Sequence, residues 1–107
     1  MVIVKNKKDD ISLNLFYRDN SLECQITRKA LYTILDKYPD AIMIQEINYD
    51  DNREICETFH VYGVPTLLII SNNKVINRYS GILDTREIDT ILKSLLKNNN
   101  KRGRKYE

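Results

Sequence analysis

Apolar and polar residues alternate from Ile11 to Tyr17. Side chains on a strand point to opposite faces in turn, so this spacing predicts a β-strand with one apolar face. Phe16 adds an apolar group on the second face, and we therefore expect both faces to be covered. The apolar stretch Val2–Val4 predicts a short strand before it, and the charged segment 5–10 connects the two.

The spacing of apolar residues becomes helical from Leu22 to Tyr38. One line along this predicted helix contains Ile26, Ala30, Ile34 and Lys37, with Cys24, Leu31 and Leu35 beside it. Ser21 precedes the helix and is a residue type that caps helix N-termini. Pro39 cannot continue the helix, which is therefore expected to end before it.

A compact apolar run at residues 41–44 begins the next predicted strand, which continues through Ile47 and is expected to be buried on both faces. The capping residues at 50–52 predict a short helix that ends near His60. Residues 66–70 form a further apolar strand. Because asparagine tolerates the left-handed conformation, the pair Asn72-Asn73 predicts a hairpin turn into a strand over 74–79.

The last predicted helix begins with a capping box, in which Asp84 and Glu87 each accept a hydrogen bond from the other residue's amide. Its apolar stripe consists of Ile88, Ile91, Leu92, Leu95 and Leu96. Residues 98–107 lack this stripe and are predicted to be a mobile, polar and basic tail. We therefore expect one domain over residues 1–97.

The order of these elements predicts an α/β fold. Strand–helix–strand crossovers imply parallel pairs, whereas the tight turn at Asn72-Asn73 implies an antiparallel pair. The chain should thus fold into a mixed sheet with helices on both faces.

Composition narrows the classes of function. The chain has 107 residues, of which 42% are hydrophobic, and a net charge of +2, which favours neither nucleic-acid nor membrane binding. The start of the chain does not match a secretory signal, and the two cysteines are then expected to be free thiols in the cytoplasm. Two cysteines and one histidine cannot alone complete a zinc site, and no residue pattern predicts a metal or a cofactor.

Two motifs carry the candidate chemistry. Ser21 and Cys24 stand three residues apart at the start of the first helix, and Val64-Pro65-Thr66 precedes a buried strand about forty residues later. This layout resembles the thioredoxin family, with serine at the first position of the C-x-x-C motif. The resemblance extends from about Ile11 to Leu96. It implies a three-layer α/β/α fold in which the family's first helix is missing or reduced.

The resemblance also implies roles for individual residues. Ser21 takes the position of the attacking cysteine, and Cys24 that of the resolving cysteine. Substrate contacts are implied for Leu22, Glu23, Val64, Pro65 and Gly81, with a cis peptide bond before Pro65. Cys56 is a candidate accessory thiol.

Two departures from the family bear on activity. Leu15 stands where thioredoxins usually carry a buried acid, and Glu46 stands where they carry a lysine. The resemblance implies that these changes remove the pair that handles protons for the resolving thiol.

Two functions therefore stay open. The first is a thiol–disulfide exchange protein that acts on polypeptides bearing disulfides or thiols, with a reductase of the thioredoxin-reductase type as a possible partner. In this case Cys24 acts alone, or serine replaces a cysteine of the natural protein at position 21. The second is a non-catalytic thioredoxin-like module that binds peptides or a partner subunit.

Overall fold

The computed structural model describes residues 11–38 and 42–105, with side chains as far as Lys97. Its elements are β1 (Ile11–Tyr17), α1 (Leu22–Leu35), β2 (Met43–Asn48), α2 (Arg53–Thr58), β3 (Thr66–Ser71), β4 (Lys74–Ser80) and α3 (Thr85–Lys105). This order confirms the one predicted from Ile11 onward. The predicted strand Val2–Val4 lies outside the described residues.

The described strands form one mixed sheet in the order β2-β1-β3-β4. β1 pairs with β2 in parallel and with β3 in antiparallel, and β3 pairs with β4 in antiparallel. The crossover through α1 joins the parallel pair, as predicted, because a parallel connection must return the chain to the same end of the sheet.

Apolar side chains cover both faces of the sheet. On one face, alternate residues of β1 and β3, such as Leu13, Leu15 and Leu67, pack against α1 and α3. On the other face, Phe16 and Leu68 pack against α2 and its flanking residues. The result is the predicted three-layer α/β/α arrangement, and Phe16 covers the second face as expected.

The helix α1 differs from its prediction in length and in phase. It ends at Leu35, and residues 36–38 continue as turns. Its buried face contains Thr27, whereas the side chain of Ile26, placed on the apolar line by the sequence, is 42% exposed. The buried Thr27 hydroxyl accepts the amide proton of Leu83 in the β4–α3 connection, so this face of α1 lies against that connection.

The prediction that β2 is buried on both faces is wrong. Met43, Ile44 and Gln45 are half-buried, and Glu46 is exposed. Within the described part of the chain, β2 lies at one edge of the sheet, so its outer side lacks the cover that a central strand receives.

Two local signals are confirmed by geometry. Asn72 and Asn73 have φ values of 53° and 68°, the left-handed pair that a two-residue hairpin requires. The amide of Glu87 donates to Asp84 Oδ1 at 2.8 Å, and the amide of Asp84 donates to Glu87 Oε1 at 2.9 Å, which completes the capping box.

The backbone of α3 continues as a helix to Lys105, eight residues past the predicted domain end at Lys97. Between these positions the chain contains no proline, and its first glycine is Gly103, so little in the sequence interrupts the helix. The mobility of residues 98–107 stays a prediction. Among the described residues, no helix combines the length and the apolar character needed to cross a membrane.

Candidate functional site

Ser21 caps the N-terminus of α1. Its φ and ψ of −109° and 117° are extended, and its Oγ accepts a hydrogen bond from the Cys24 amide at 3.2 Å. The hydroxyl also donates to Glu23 Oε1 at 3.3 Å. A side-chain atom at position 21 therefore lies at the positive end of the helix, where a developing negative charge is stabilised.

The four residues of the motif differ sharply in exposure. Leu22 is 67% exposed and Glu23 is exposed, whereas the Cys24 side chain is only 2% exposed. Ser21 is half-buried at the helix end. The free thiol of Cys24 is thus buried, and the more accessible side chain at position 21 carries a hydroxyl instead of a thiol.

The sheet register brings the start of β3 to the end of the sheet from which α1 begins. Phe16 pairs with Thr66, so Pro65 precedes β3 at the end where β1 leads toward Ser21. The peptide bond between Val64 and Pro65 is cis. The Gly81 amide donates to the Pro65 carbonyl at 2.9 Å, and the φ of Gly81 is 99°, a conformation that favours glycine.

A groove of about 380 Å³ opens beside Pro65. Residues 60–66 line it together with Arg78, Ser80 and Gly81. It contains three predicted substrate contacts, Val64, Pro65 and Gly81. The predicted contacts Leu22 and Glu23 belong to α1 and do not line this groove.

Glu46 of β2 takes part in a polar network with two residues of α1. Its carboxylate accepts from Arg28 Nε at 2.8 Å and from the Tyr32 hydroxyl. Burial, followed by the bond to Glu46, raises the pKa of Tyr32 to about 12. Leu15, paired with Glu46 in the β1–β2 register, is fully buried in the apolar core. Position 15 thus carries no acid, and the Glu46 carboxylate is bonded to Arg28 and Tyr32.

Cys56 lies in the core on the other face of the sheet, with α2. Its side chain is 1% exposed, and burial raises the pKa of its thiol. The structure therefore does not bring Cys56 together with Cys24. The role of Cys56 as an accessory thiol stays a prediction. Its apolar neighbours favour a role in core packing instead.

Thr27 links α1 to the segment that follows Gly81. Its hydroxyl oxygen accepts the amide proton of Leu83 at 3.1 Å, across 56 positions of sequence. Three other helical threonines donate instead to the carbonyl four residues earlier: Thr33, Thr58 and Thr90. Thr27 is 1% exposed, so its bond holds the β4–α3 connection against the helix that carries Cys24.

We expect Thr27→Val to lower the free energy of unfolding by about 1–3 kcal/mol, because the shape is kept while the buried Leu83 amide loses its acceptor. Hydrogen exchange at Leu83 should become faster. Thr33→Val in the same helix, at an exposed position, should change stability by less than about 0.5 kcal/mol. Urea unfolding of both variants measures the difference, and equal losses would contradict this account of Thr27.

Sequence reasoning missed two elements of the site. Thr27 lies three residues after Cys24, on the same helix face, and this spacing is the one signal that could have identified it. Arg78 stands in an exposed strand, and nothing in its neighbourhood along the chain indicates that it lines the groove.

Comparison of the sequence with known families gives one consistent result. The family model described as Thioredoxin matches residues 2–94. The mitochondrial thioredoxin of Mus musculus is 27% identical over 73 residues, which are 68% of this chain and 44% of that protein. The thioredoxin of Chlorobaculum thiosulfatiphilum is 28% identical over 60 residues, 56% of each chain. The chain thus spans less than half the length of the mitochondrial relatives it matches.

Solved structures show the same fold. A malaria parasite thioredoxin-2, described as a component of that parasite's protein secretion machinery, matches with a TM-score of 0.76 and 17% identity, over 83% of this chain and 86% of that chain. A variant thioredoxin from Halobacterium salinarum matches with a TM-score of 0.67 and 23% identity, over 80% of this chain and 74% of that one. At these identities the structures support the fold alone.

Proposed function

Because this chain belongs to the thioredoxin family, we propose that it acts in thiol–disulfide exchange with polypeptides, and that Ser21 impairs the first step of that exchange. The observation that carries the proposal is the arrangement at the start of α1. Position 21 lies at the helix end, and the buried Cys24 lies one turn behind it, with its amide bonded to Ser21. This is the arrangement expected of an attacking residue and a resolving residue.

The exchange reaction proposed at position 21 needs a thiolate there. A thiolate attacks one sulfur of a disulfide and releases the other, and a second thiol then resolves the mixed disulfide. A serine hydroxyl neither forms a disulfide nor ionises near neutral pH without a strong base. The chain as written should therefore be impaired in exchange, or use Cys24 as its single thiol. Because the Cys24 side chain is only 2% exposed, we favour impaired exchange.

Binding of an extended segment is the second part of the proposal. Val64 is half-buried and Pro65 is buried at the edge of the groove, and the backbone of Val64 is available to pair with an added strand. This surface does not depend on the residue at position 21. We propose polypeptides with disulfides or thiols as partners, a thioredoxin-reductase-like protein as the electron donor, and a reducing compartment such as the cytoplasm as the location.

A non-catalytic binding module is the second candidate. Leu15 and Glu46 favour it. Leu15 packs in the apolar core, and the Glu46 carboxylate is bonded to Arg28 and Tyr32. A protein under no requirement to cycle a dithiol has no use for a proton-handling acid beneath Cys24.

Insulin disulfide reduction with dithiothreitol as the regenerating thiol separates the two candidates. The rate of insulin reduction is measured for the chain as written and for Ser21→Cys. Activity that appears only in the variant supports the exchange proposal. No gain in a variant that keeps its circular dichroism spectrum and unfolding midpoint would refute it and leave the binding module.

A further inference from the structure

The groove beside Pro65 has a charge pattern that its proposed use does not explain. The residues that line it, 60–66 together with Arg78, Ser80 and Gly81, include no aspartate or glutamate. Arg78 is the residue among them with a full positive charge. A carboxylate that enters the groove therefore meets a cation and no lining residue of its own sign.

Arg78 is held in place by the backbone. Its Nη2 donates to the carbonyl of Phe59 at 2.6 Å, and its Nη1 donates to the carbonyl of His60 at 3.0 Å. A guanidinium has five N–H groups, so these two bonds leave three donors unassigned. Because the side chain is already ordered, a ligand that binds these donors loses less conformational entropy than one that must first order an arginine.

No side chain among the described residues forms an ion pair with Arg78. Four ion pairs join charged residues within the described chain, and none of them includes Arg78. The two carbonyls lie just after α2, where a cation interacts favourably with the end of a helix. That contact explains why Arg78 points toward residues 59–60, but it leaves a net charge at the groove.

Other residues that line the groove are also held by hydrogen bonds. Tyr62 is 71% exposed, and its hydroxyl lies 3.1 Å from His60 Nδ1. The Thr66 hydroxyl donates to the Gly63 carbonyl at 2.8 Å, which fixes the turn before Pro65. An extended segment at Val64 would thus lie in a groove lined by an exposed aromatic side chain and by an arginine whose position is set.

We propose that Arg78 makes this groove select extended polypeptides that carry an aspartate or glutamate side chain near the segment bound at Val64. The inference rests on the proposed function, because it assigns a specificity to that same peptide-binding surface. A carboxylate is the matching chemistry, since a guanidinium binds it with charge-assisted, two-pronged hydrogen bonds.

The test uses fluorescent ten-residue peptides with one central cysteine blocked by alkylation. All other positions are alanine, valine or threonine, except one that is Glu or Gln and is moved along the peptide from set to set. Fluorescence anisotropy at low salt measures binding to the unmodified chain. At one or two positions the Glu peptide should bind about threefold to tenfold more tightly than its Gln partner, and added salt should reduce the difference.

The matched variants are Arg78→Gln and Arg86→Gln. The first should abolish the preference for Glu, and the second, at an exposed position on α3 outside the groove, should keep it. Equal affinities of Glu and Gln peptides for the unmodified chain would overturn the inference, as would a preference that survives Arg78→Gln. Because the peptide pair is compared on the unmodified chain, the test holds even if Arg78→Gln weakens the fold.

The failure of this inference is distinguishable from failure of the proposed function. If Ser21→Cys reduces insulin and the peptides bind without preference, only the role of Arg78 is wrong. If no peptide binds and Ser21→Cys is inactive, the proposed peptide-binding and exchange functions are wrong, and this inference with them.

Discussion

Ser21→Cys is expected to reduce insulin disulfides at least about 100-fold faster than the chain as written, since loss of a nucleophile typically costs several orders of magnitude in rate. The introduced sulfur would stand where Ser21 Oγ now accepts the Cys24 amide. The amide and the helix end would stabilise its thiolate. That thiolate attacks one sulfur of the substrate disulfide, and the other leaves as a thiolate and takes up a proton.

The second step explains why Cys24 is needed. Its thiolate attacks the sulfur at position 21, releases the remaining substrate thiol and leaves a disulfide between positions 21 and 24. Two electrons thus pass to the substrate, and dithiothreitol reduces the protein again. Dithiothreitol can itself resolve a mixed disulfide, so the role of Cys24 is tested with pre-reduced protein and no dithiothreitol. Under these conditions Ser21→Cys combined with Cys24→Ser should stop at the mixed disulfide, and Ser21→Ala should form none. Release of fully reduced substrate by the double variant would contradict the role of Cys24 as the resolving thiol.

Leu15→Asp is expected to lower the free energy of unfolding at pH 8 by about 3–5 kcal/mol, through lost apolar burial and an unpaired buried carboxyl. Leu15 is 0% exposed, and Glu46, its partner in the register, is already bonded to Arg28. No cation of the described residues pairs with position 15. Restoring the family's acid alone should therefore harm the fold.

The loss should depend on pH. Burial would raise the pKa of the introduced carboxyl in the folded state above its unfolded value of about 3.9, so the destabilisation should be smaller at pH 4 and grow as the pH rises. Leu15→Asn has a similar shape and no charge, and its loss should change little between these values. Urea unfolding at pH 4 and pH 8 tests both. A Leu15→Asp variant as stable as the parent at pH 8 would show that the core accepts a carboxylate there.

Elements defined by local signals could be predicted from the sequence. The hairpin at Asn72-Asn73 and the capping box of Asp84 and Glu87 each depend on residues within four positions of one another. A short sequence pattern is therefore enough to predict both. The order of strands and helices from Ile11 follows from the same kind of periodicity.

Features set by distant contacts could not be predicted in this way. The apolar run before Ile47 does not distinguish a central strand from an edge strand, and β2 lies at the edge of the described sheet. In α1, Thr27 is buried and Ile26 is exposed, and Thr27 is bonded to Leu83, which lies far along the sequence. Periodicity gives the apolar side of a helix only to within about one residue.

The same distinction between local and distant contacts applies to the candidate site. The positions of Ser21 and Pro65 were predicted through a family resemblance, because those motifs are short and local. The network of Glu46 with Arg28 and Tyr32, and the placement of Arg78 in the groove, arise from side chains of different elements. Charged residues on exposed faces have no periodic signal that indicates which partners they meet.

The central claim is that position 21 and Cys24 form the reacting pair of this site, and mass spectrometry of oxidised Ser21→Cys tests it most directly. Residues three apart at a helix start lie within reach of a disulfide. The account predicts an intramolecular disulfide between positions 21 and 24, seen as the loss of two hydrogens, with Cys56 still a free thiol after unfolding. A disulfide that involves Cys56, or disulfide-linked dimers with Cys24 left free, would contradict it.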